Sequence, residues 1–450
     1  MNLVFYHIYT LGFSGAPQVN DFLSEPDKNL DKLYEWIDYL DDMGFNAIYF
    51  GPVFESTSHG YDTVDYYSID RRLGTNNSFT SLCGILKSRG FHIVLDGVFN
   101  HVSRDFAPFK DIQVNGEESE YCDWFLEIDF AGKSSLGDSF SYHCWEGHDS
   151  LVSMNLQNGE VQKYLLNAVK FWIDEFSIDG LRLDVAYCLD KSFLKKLKSF
   201  TKALNEDFWI MGEVIHGDYR EWLDRGLLDS VTNYECYKGI HSSLNDNNYY
   251  EIAHSLTRLF GYEGIYRNYQ LYNFIDNHDV SRIYSILEKK AHVYNAMVLL
   301  FTIPGIPSIY YGSEWQIEGE KTETSDFLLR PDLNLPIVRT MEKSLEMEKT
   351  VRKLISIRKN SVSLQQGAYR ELHVNSNQLV FAREFEGEVT ICALNSSDDG
   401  IMIELPEDLT GNYRDLLNTE DVSINRGNRM LHLWPNWGAV LKSTVDINQQ

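Results

Sequence analysis

The sequence predicts an α/β protein: a (β/α)8 barrel with a small inserted domain after its third strand and a C-terminal antiparallel β-sandwich. Two observations carry the barrel. Short β-rich apolar runs alternate with longer helical patterns over roughly 350 residues, as βαβ units around a parallel sheet do. Eight such runs occur, the number that closes a barrel. A third observation, the change to short alternating strands after Gln365, predicts the sandwich.

The eight runs are residues 4–8, 47–50, 92–96, 181–185, 209–213, 229–232, 271–275 and 307–311. Between them, residues 30–43 place Leu30, Leu33, Ile37 and Leu40 on one helical face, and residues 161–176 do the same with Val161, Leu165, Ala168, Val169 and Trp172. Gly44 and Gly90 stand where helix C-caps are expected. From His101 to about Leu151 the rhythm stops, and a polar, aromatic insertion rich in Asp, Ser and Phe takes its place; loops this long usually line a site. Sandwich strands are expected at 378–383, 388–393 and 430–434, with turns at 398–400 and 425–427. The expected division is therefore 1–100 with 152–364 for the barrel, 101–151 for the insertion and 365–450 for the sandwich.

Composition excludes several function classes. The 40 Lys and Arg against 66 Asp and Glu give a net charge of −26, which repels nucleic acid and anionic lipid. A neutral small-molecule substrate such as an oligosaccharide suits this surface, and oligomeric state is not legible from it. No apolar run reaches the ~20 residues of a membrane span. The opening residues read as a first strand and not as a signal peptide. The six cysteines (83, 122, 144, 188, 236, 392) have neither paired nor metal-ligand spacing, so a cytoplasmic location is expected, with a secreted disulfide protein as the alternative.

In a barrel of this kind the active site lies at the carboxyl ends of the strands. Four ends carry polar clusters: Asp96-Gly97-Val98-Phe99-Asn100-His101, Leu181-Arg182-Leu183-Asp184-Val185-Ala186, Met211-Gly212-Glu213-Val214 and Phe274-Ile275-Asp276-Asn277-His278-Asp279. Arg182 and Asp184, two apart on one strand, project to the same face, where the guanidinium holds the carboxylate ionised as a nucleophile requires. A buried Arg–Asp pair also serves barrels that do no chemistry. Glu213 ends the neighbouring strand, ~4.8 Å away, which suits the ~5 to 5.5 Å carboxyl separation of retaining glycosidases. Crowding by Asp184 is expected to keep Glu213 protonated as a general acid. Asp279 with His278 and His101 completes a ring of three acids and two histidines able to grip sugar hydroxyls.

These four segments, in this order and on these strands, closely resemble the conserved regions of the α-amylase family of glycoside hydrolases. The likeness extends through Gly60-Tyr61-Asp62-Thr63, Ser153-Met154-Asn155-Leu156 and Ile309-Tyr310-Tyr311-Gly312. The resemblance implies Asp184 as nucleophile, Glu213 as acid/base and Asp279 as the third carboxylate. It also implies that Arg182 orients the nucleophile, His101 and His278 contact the sugar, Tyr61 stacks on it and Asp96 supports the group electrostatically. The expected activity is retaining hydrolysis of α-glucosidic, mainly α-1,4, bonds in malto-oligosaccharides or cyclodextrins; a transglycosylase, a plain α-amylase and a non-catalytic glucan-binding relative are the alternatives.

Within the family the chain is most similar to the cyclomaltodextrinase, maltogenic amylase and neopullulanase group, through Tyr61-Asp62-Thr63, residues 104–109 and Met154-Asn155-Leu156. Three features depart from that group: the chain opens at the first barrel strand, where the group carries an N-terminal β-domain; Tyr187-Cys188 replaces Asn-Glu; and Ile215 replaces a Trp. Asn100 matches a family calcium ligand, but the Lys-His pair of calcium-dependent members is replaced by Tyr187-Cys188. No cofactor and no catalytic metal is therefore expected, and a structural calcium in the insertion stays open.

Overall fold

The computed structural model describes residues 2–323, 325–340 and 342–444. Eight short parallel strands form one sheet: β1 (Phe5–Ile8), β2 (Ala47–Phe50), β3 (His92–Gly97), β4 (Gly180–Leu183), β5 (Trp209–Gly212), β6 (Ser230–Val231), β7 (Tyr272–Asn273) and β8 (Ile306–Tyr310). Their order is β6-β5-β4-β3-β2-β1-β8-β7, a ring lacking one seam. A parallel bridge between Thr232 and Tyr272 closes that seam, reinforced by the Asn233 amide, which donates to the Tyr272 carbonyl at 2.9 Å. Every expected strand is present. Several are shorter than their apolar runs, because residues such as Asp184 and Glu213 lie past the last ladder bond, where the chain turns to form the site.

The helices pack outside this ring as their periodicity requires. Tyr34–Met43 buries Trp36, Ile37, Tyr39, Leu40 and Met43 against the barrel and ends at Gly44, whose φ of 93° is the left-handed cap that a side chain would disfavour. Gly159–Phe176 starts with Asn158 accepting the Glu160 and Val161 amides, then buries Val161, Leu165, Ala168, Val169 and Trp172. The insertion holds more regular structure than its composition suggested. Strands His101–Ser103 and Leu151–Ser153 pair antiparallel and clamp its two ends together, and Ala107–Asn115 forms a helix between them. Its core is aromatic, with Phe109 against Phe125, Phe140 and Tyr142.

The C-terminal region forms a six-stranded antiparallel sheet with a separate two-stranded sheet, Ile401–Glu404 with Met430–Leu433, around its own apolar core. One buried arginine, Arg383, joins it to the barrel beside a second, Arg358, from the last barrel helix Glu342–Lys359. Helix Val293–Thr302 ends there with carbonyls that no helical amide can satisfy. Arg358 donates to Phe301 O at 2.9 Å, and Arg383, from the sheet, donates to Thr302 O at 2.7 Å and to Gly367 O at 2.8 Å. Burial pulls these guanidinium groups down, to about 9 and about 10, which still leaves both charged near neutrality and complementary to the negative helix end. Arg383→Met would leave two buried carbonyls without donors. Chemical denaturation should report a loss of about 3 kcal/mol, and an unchanged midpoint would show that the arginine is not what holds the sheet to the barrel.

Candidate active site

The carboxyl ends of β3, β4 and β5 converge on one buried cation. Arg182 Nη1 donates to Asp184 Oδ1 at 2.8 Å and to Asp96 Oδ1 at 3.0 Å, while Nη2 lies 2.9 Å from Glu213 Oε2. Register explains the meeting: Arg182 pairs with Asp96 on β3 and with Met211 on β5, so the residues just past these rungs face one another. The Arg182, Asp184 and Glu213 side chains are 3, 8 and 7% exposed. This isolation strengthens every interaction among them.

The turn after β4 is the feature that aims the pair. Val185 has a φ of 39°, a left-handed conformation that a β-branched residue adopts only under constraint. It ends the strand at Leu183 rather than at Val185 and points its amide at Glu213 Oε2, 3.0 Å away. On β5, Gly212 is required by contact: a Cβ there would lie 2.4 Å from Leu228 and 2.8 Å from Ala186. Closeness of the strand to its neighbours is what brings Glu213 up to Arg182.

Burial pushes the Asp184 carboxyl well above the usual range, the charges of Glu213 and Asp96 push the same way, and Arg182 works against them. Two donors, Arg182 Nη2 and the Val185 amide, meet on the single Glu213 Oε2.

Around this core the remaining residues take defined places. Asp96 Oδ2 accepts from Tyr49 at 2.7 Å and from Tyr61 at 2.9 Å, so it anchors the wall of the site. The Tyr61 ring lies parallel to His278 at 5.4 Å, and its hydroxyl bonds His278 Nε2. Asp279 is 30% exposed, the most open of the three acids; its Oδ2 is 3.0 Å from His278 Nε2 and its Oδ1 accepts from Arg330 at 3.2 Å. Although burial opposes it, His278, Arg330 and Arg182 hold the Asp279 carboxyl well below its ordinary value. His101 Nε2 lies 3.9 Å from Asp184 Oδ2. Burial lowers His101 to about 3, so the ring is neutral, and the Asn100 amide nitrogen 3.2 Å from Nδ1 assigns the single hydrogen to Nε2. That N–H has no partner among the described residues and is left for a ligand hydroxyl.

All eight residues expected at the site are brought together. Sequence reasoning missed Arg330, Tyr234 and Trp145. Arg330 comes from the loop after β8, clamps Asp279 and donates to His278 O at 3.1 Å while lying over the Tyr9 ring at 4.4 Å. Nothing in its local sequence marks it. Tyr234 immediately follows the β6 end, a position that could have raised it; its hydroxyl lies 3.4 Å from Glu213 Oε1 and accepts from Asn277 at 3.3 Å. Trp145, from the insertion, stands over His101 with ring centroids 5.5 Å apart.

The expected calcium position is poorly furnished. The Asn100 side-chain nitrogen faces His101 and its backbone carbonyl accepts from Met154 at 3.0 Å. Burial pushes the Cys188 thiol up to about 11, so it stays neutral. A neutral thiol is not among the oxygen donors that a hard cation takes. Among the described residues no group of three or more His, Cys, Asp or Glu is placed to hold a metal.

Comparison with known proteins agrees with the geometry. Residues 24–366 match the family described as alpha amylase, catalytic domain. The chain is 33% identical to a cyclomaltodextrinase of Thermoanaerobacter pseudethanolicus, over 92% of this chain and 71% of that one. It is 30% identical to the intracellular maltogenic amylase of Bacillus subtilis, over 94% of this chain and 68% of that one. Among solved structures, an acarbose-soaked debranching enzyme from Nostoc punctiforme superposes with a TM-score of 0.79 at 29% identity, covering 98% of each chain.

The raised Asp184 carboxyl has a consequence for stability. The folded state binds this proton more tightly than the unfolded chain, whose value is ~3.9, so ionising Asp184 penalises folding as pH rises from there through the raised folded value. Asp184→Asn removes the penalty and keeps an acceptor for Arg182. Thermal melts should show the variant a few degrees more stable than wild type at neutral pH, with the gain vanishing near pH 4; a gain independent of pH would contradict the assignment.

Proposed function

The chain belongs to the α-amylase family of glycoside hydrolases, and from that premise we propose that it is a retaining α-glycosidase using Asp184 as nucleophile, Glu213 as acid/base and Asp279 as the carboxylate that grips the sugar. The observation that carries this reading is the single guanidinium of Arg182 bonded to both Asp184 and Glu213. Two acids held on one guanidinium are close neighbours, which supports direct attack by one carboxylate over activation of an intervening water.

In the first step an Asp184 oxygen bonds to the anomeric carbon as the bond to the leaving sugar breaks, and Glu213 transfers its proton to the departing oxygen. In the second, Glu213 takes a proton from water, whose oxygen attacks the glycosyl ester and frees Asp184. The first step requires a proton on Glu213 and a charged Asp184, and Arg182 reaches both groups. Asp279, held ionised by His278 and Arg330, faces the sugar hydroxyls along with the free His101 N–H, and Asp96 supports the group without touching the reaction. Hydrogen bonds of this kind tighten as the ring flattens in the transition state.

The substrates we propose are α-1,4-linked malto-oligosaccharides or cyclodextrins, the class named by the cyclomaltodextrinase and maltogenic amylase relatives. A cytoplasmic location is supported by the intracellular relative and by six unpaired cysteines. Transglycosylation and starch hydrolysis share the same glycosyl-enzyme and differ in what reaches it; products from maltotriose distinguish them.

Asp184→Ala and Glu213→Gln should each lower turnover on maltotriose by roughly three orders of magnitude or more while the fold persists, and the sugar first released should be the α-anomer by NMR. Initial β-product, or a tenth of wild-type turnover in either variant, refutes the roles.

Calcium has no part in this chemistry, since protonation by Glu213 and covalent capture by Asp184 need no Lewis acid. After dialysis against EDTA, turnover at 25 °C should stay within about twofold of the untreated enzyme. Loss of most activity, recovered on adding calcium, would mean the ion organises the site.

A further inference from the structure

The proposed reaction makes no use of His7, a buried histidine next to the site. It sits on β1 between Tyr49 of β2 and Tyr310 of β8, with ring centroids 4.2 and 4.8 Å away, and meets His278 edge-on at 5.1 Å. It is 3% exposed. An aromatic ring would fill this space equally well, so packing does not explain an imidazole. Nor does hydrogen bonding within the protein: His7 Nε2 is buried and has no partner among the described residues, and neither has His278 Nδ1. Burying a polar nitrogen unmet is costly, and orphaned pairs of this kind point to an ordered water.

Room for that water exists. A cavity of about 20 Å³, enough for one molecule, lies in the barrel throat beneath the catalytic acids and is lined by His7, His278, Glu213, Tyr234, Asn277 and Thr232. Much of its wall is apolar, formed by Met211, Tyr272 and Phe274, but the unmet nitrogens of His7 and His278 offer a water there the two partners that it requires. Burial, with the charges of His278 and Arg182, keeps His7 well below its ordinary value and hence neutral, with one nitrogen able to donate and the other to accept.

We propose that an ordered water in this cavity bridges His7 Nε2 and His278 Nδ1, and that His7 acts through it as a positioning residue fixing the His278 imidazole against the sugar. The far side of His278 already specifies what must be fixed. Nε2 lies 3.0 Å from Asp279 Oδ2, and a carboxylate only accepts, so Nε2 bears a hydrogen and Nδ1 is the nitrogen whose state the water governs. Without that tether the hydrogen bonds to the ring come only from Tyr61 and the Asp279 carboxylate, on the side that faces the sugar, and ring stacking on Tyr9 leaves its rotation in plane unfixed.

The functional half of this inference rests on the glycosidase reading; the structural half does not. The test therefore has two arms. A high-resolution crystal structure of the wild-type protein should show a water within hydrogen-bond distance of both nitrogens, and His7→Phe, which keeps the ring and removes the donor and acceptor, should lose it. A dry cavity, or a water touching neither imidazole, overturns the proposal whatever the enzyme's substrate. In kinetics on maltotriose, His7→Phe should lower kcat about tenfold to a hundredfold with KM changed less than about threefold, and His7→Gln, whose amide can replace the Nε2 contact, should stay within about threefold of wild type. Wild-type kcat in a folded His7→Phe, or equal loss in both variants, overturns the positioning role. Should the Phe variant fail to fold, the wild-type water and the Gln variant still decide. Absence of hydrolysis in the wild type would sink the functional reading alone.

Discussion

One buried guanidinium organises this molecule's chemistry. Arg182 is taken out of water at the centre of the barrel mouth, and a charge in that position persists only if it is surrounded by acids. Asp96, Asp184 and Glu213 meet that demand from three adjacent strands. The dependence is mutual: each carboxyl group would be repelled by the other two without the cation, and the cation would be expelled without them. The barrel register must therefore place four particular residues on neighbouring rungs, and the strain at Val185 and the close approach at Gly212 follow from satisfying that placement.

The remaining architecture serves the mouth in stages. The seam between β6 and β7, closed by one bridge at Thr232 and Tyr272, fixes the distance between Tyr234 and the β7 end that carries Asn277, His278 and Asp279. A chain of contacts then runs from the Asp279 amide to Asn277, to Tyr234 and to Glu213. The third carboxylate and the acid/base are thereby held by one polar network as well as by separate strands. The insertion, clamped at its base by the 101–103 and 151–153 pair, delivers Trp145 over His101 and completes the opposite wall. Loops supply these walls because a rigid parallel sheet positions only the floor.

What the sequence made legible follows the same division. The strand count, the helices on their apolar periodicity and the polar strand ends were readable, since period and composition are local properties. Asp96, Arg182, Asp184, Glu213, His278 and Asp279 were found because they sit on or just past strands. Arg330 was not, because its partner Asp279 is 51 residues away and the link is made only by the returning loop after β8. The helix and strand pair within the insertion were hidden by its polar composition, where aromatic contacts rather than periodic faces form the core. The donors around the pair were hidden for a different reason: the Val185 amide reaches Glu213 Oε2 only because the chain turns sharply after β4.

The charge balance of the completed site argues for the kind of transition state it favours. Four carboxyl groups, Asp96, Asp184, Glu213 and Asp279, face two guanidinium groups, Arg182 and Arg330. His101 and His7 add nothing, because burial keeps both neutral. With every carboxyl ionised, the acids outnumber the cations that face them, and this excess adds to burial in pushing the Asp184 carboxyl up. A neutral sugar does not relieve that excess. A ring that gains positive charge as its glycosidic bond breaks does, and it does so in a site shielded from water, where each interaction is strongest. The field that raises the Asp184 carboxyl is thus also the field that stabilises an oxocarbenium-like ring, so the cost of the buried charges falls on the ground state and their benefit appears at the barrier.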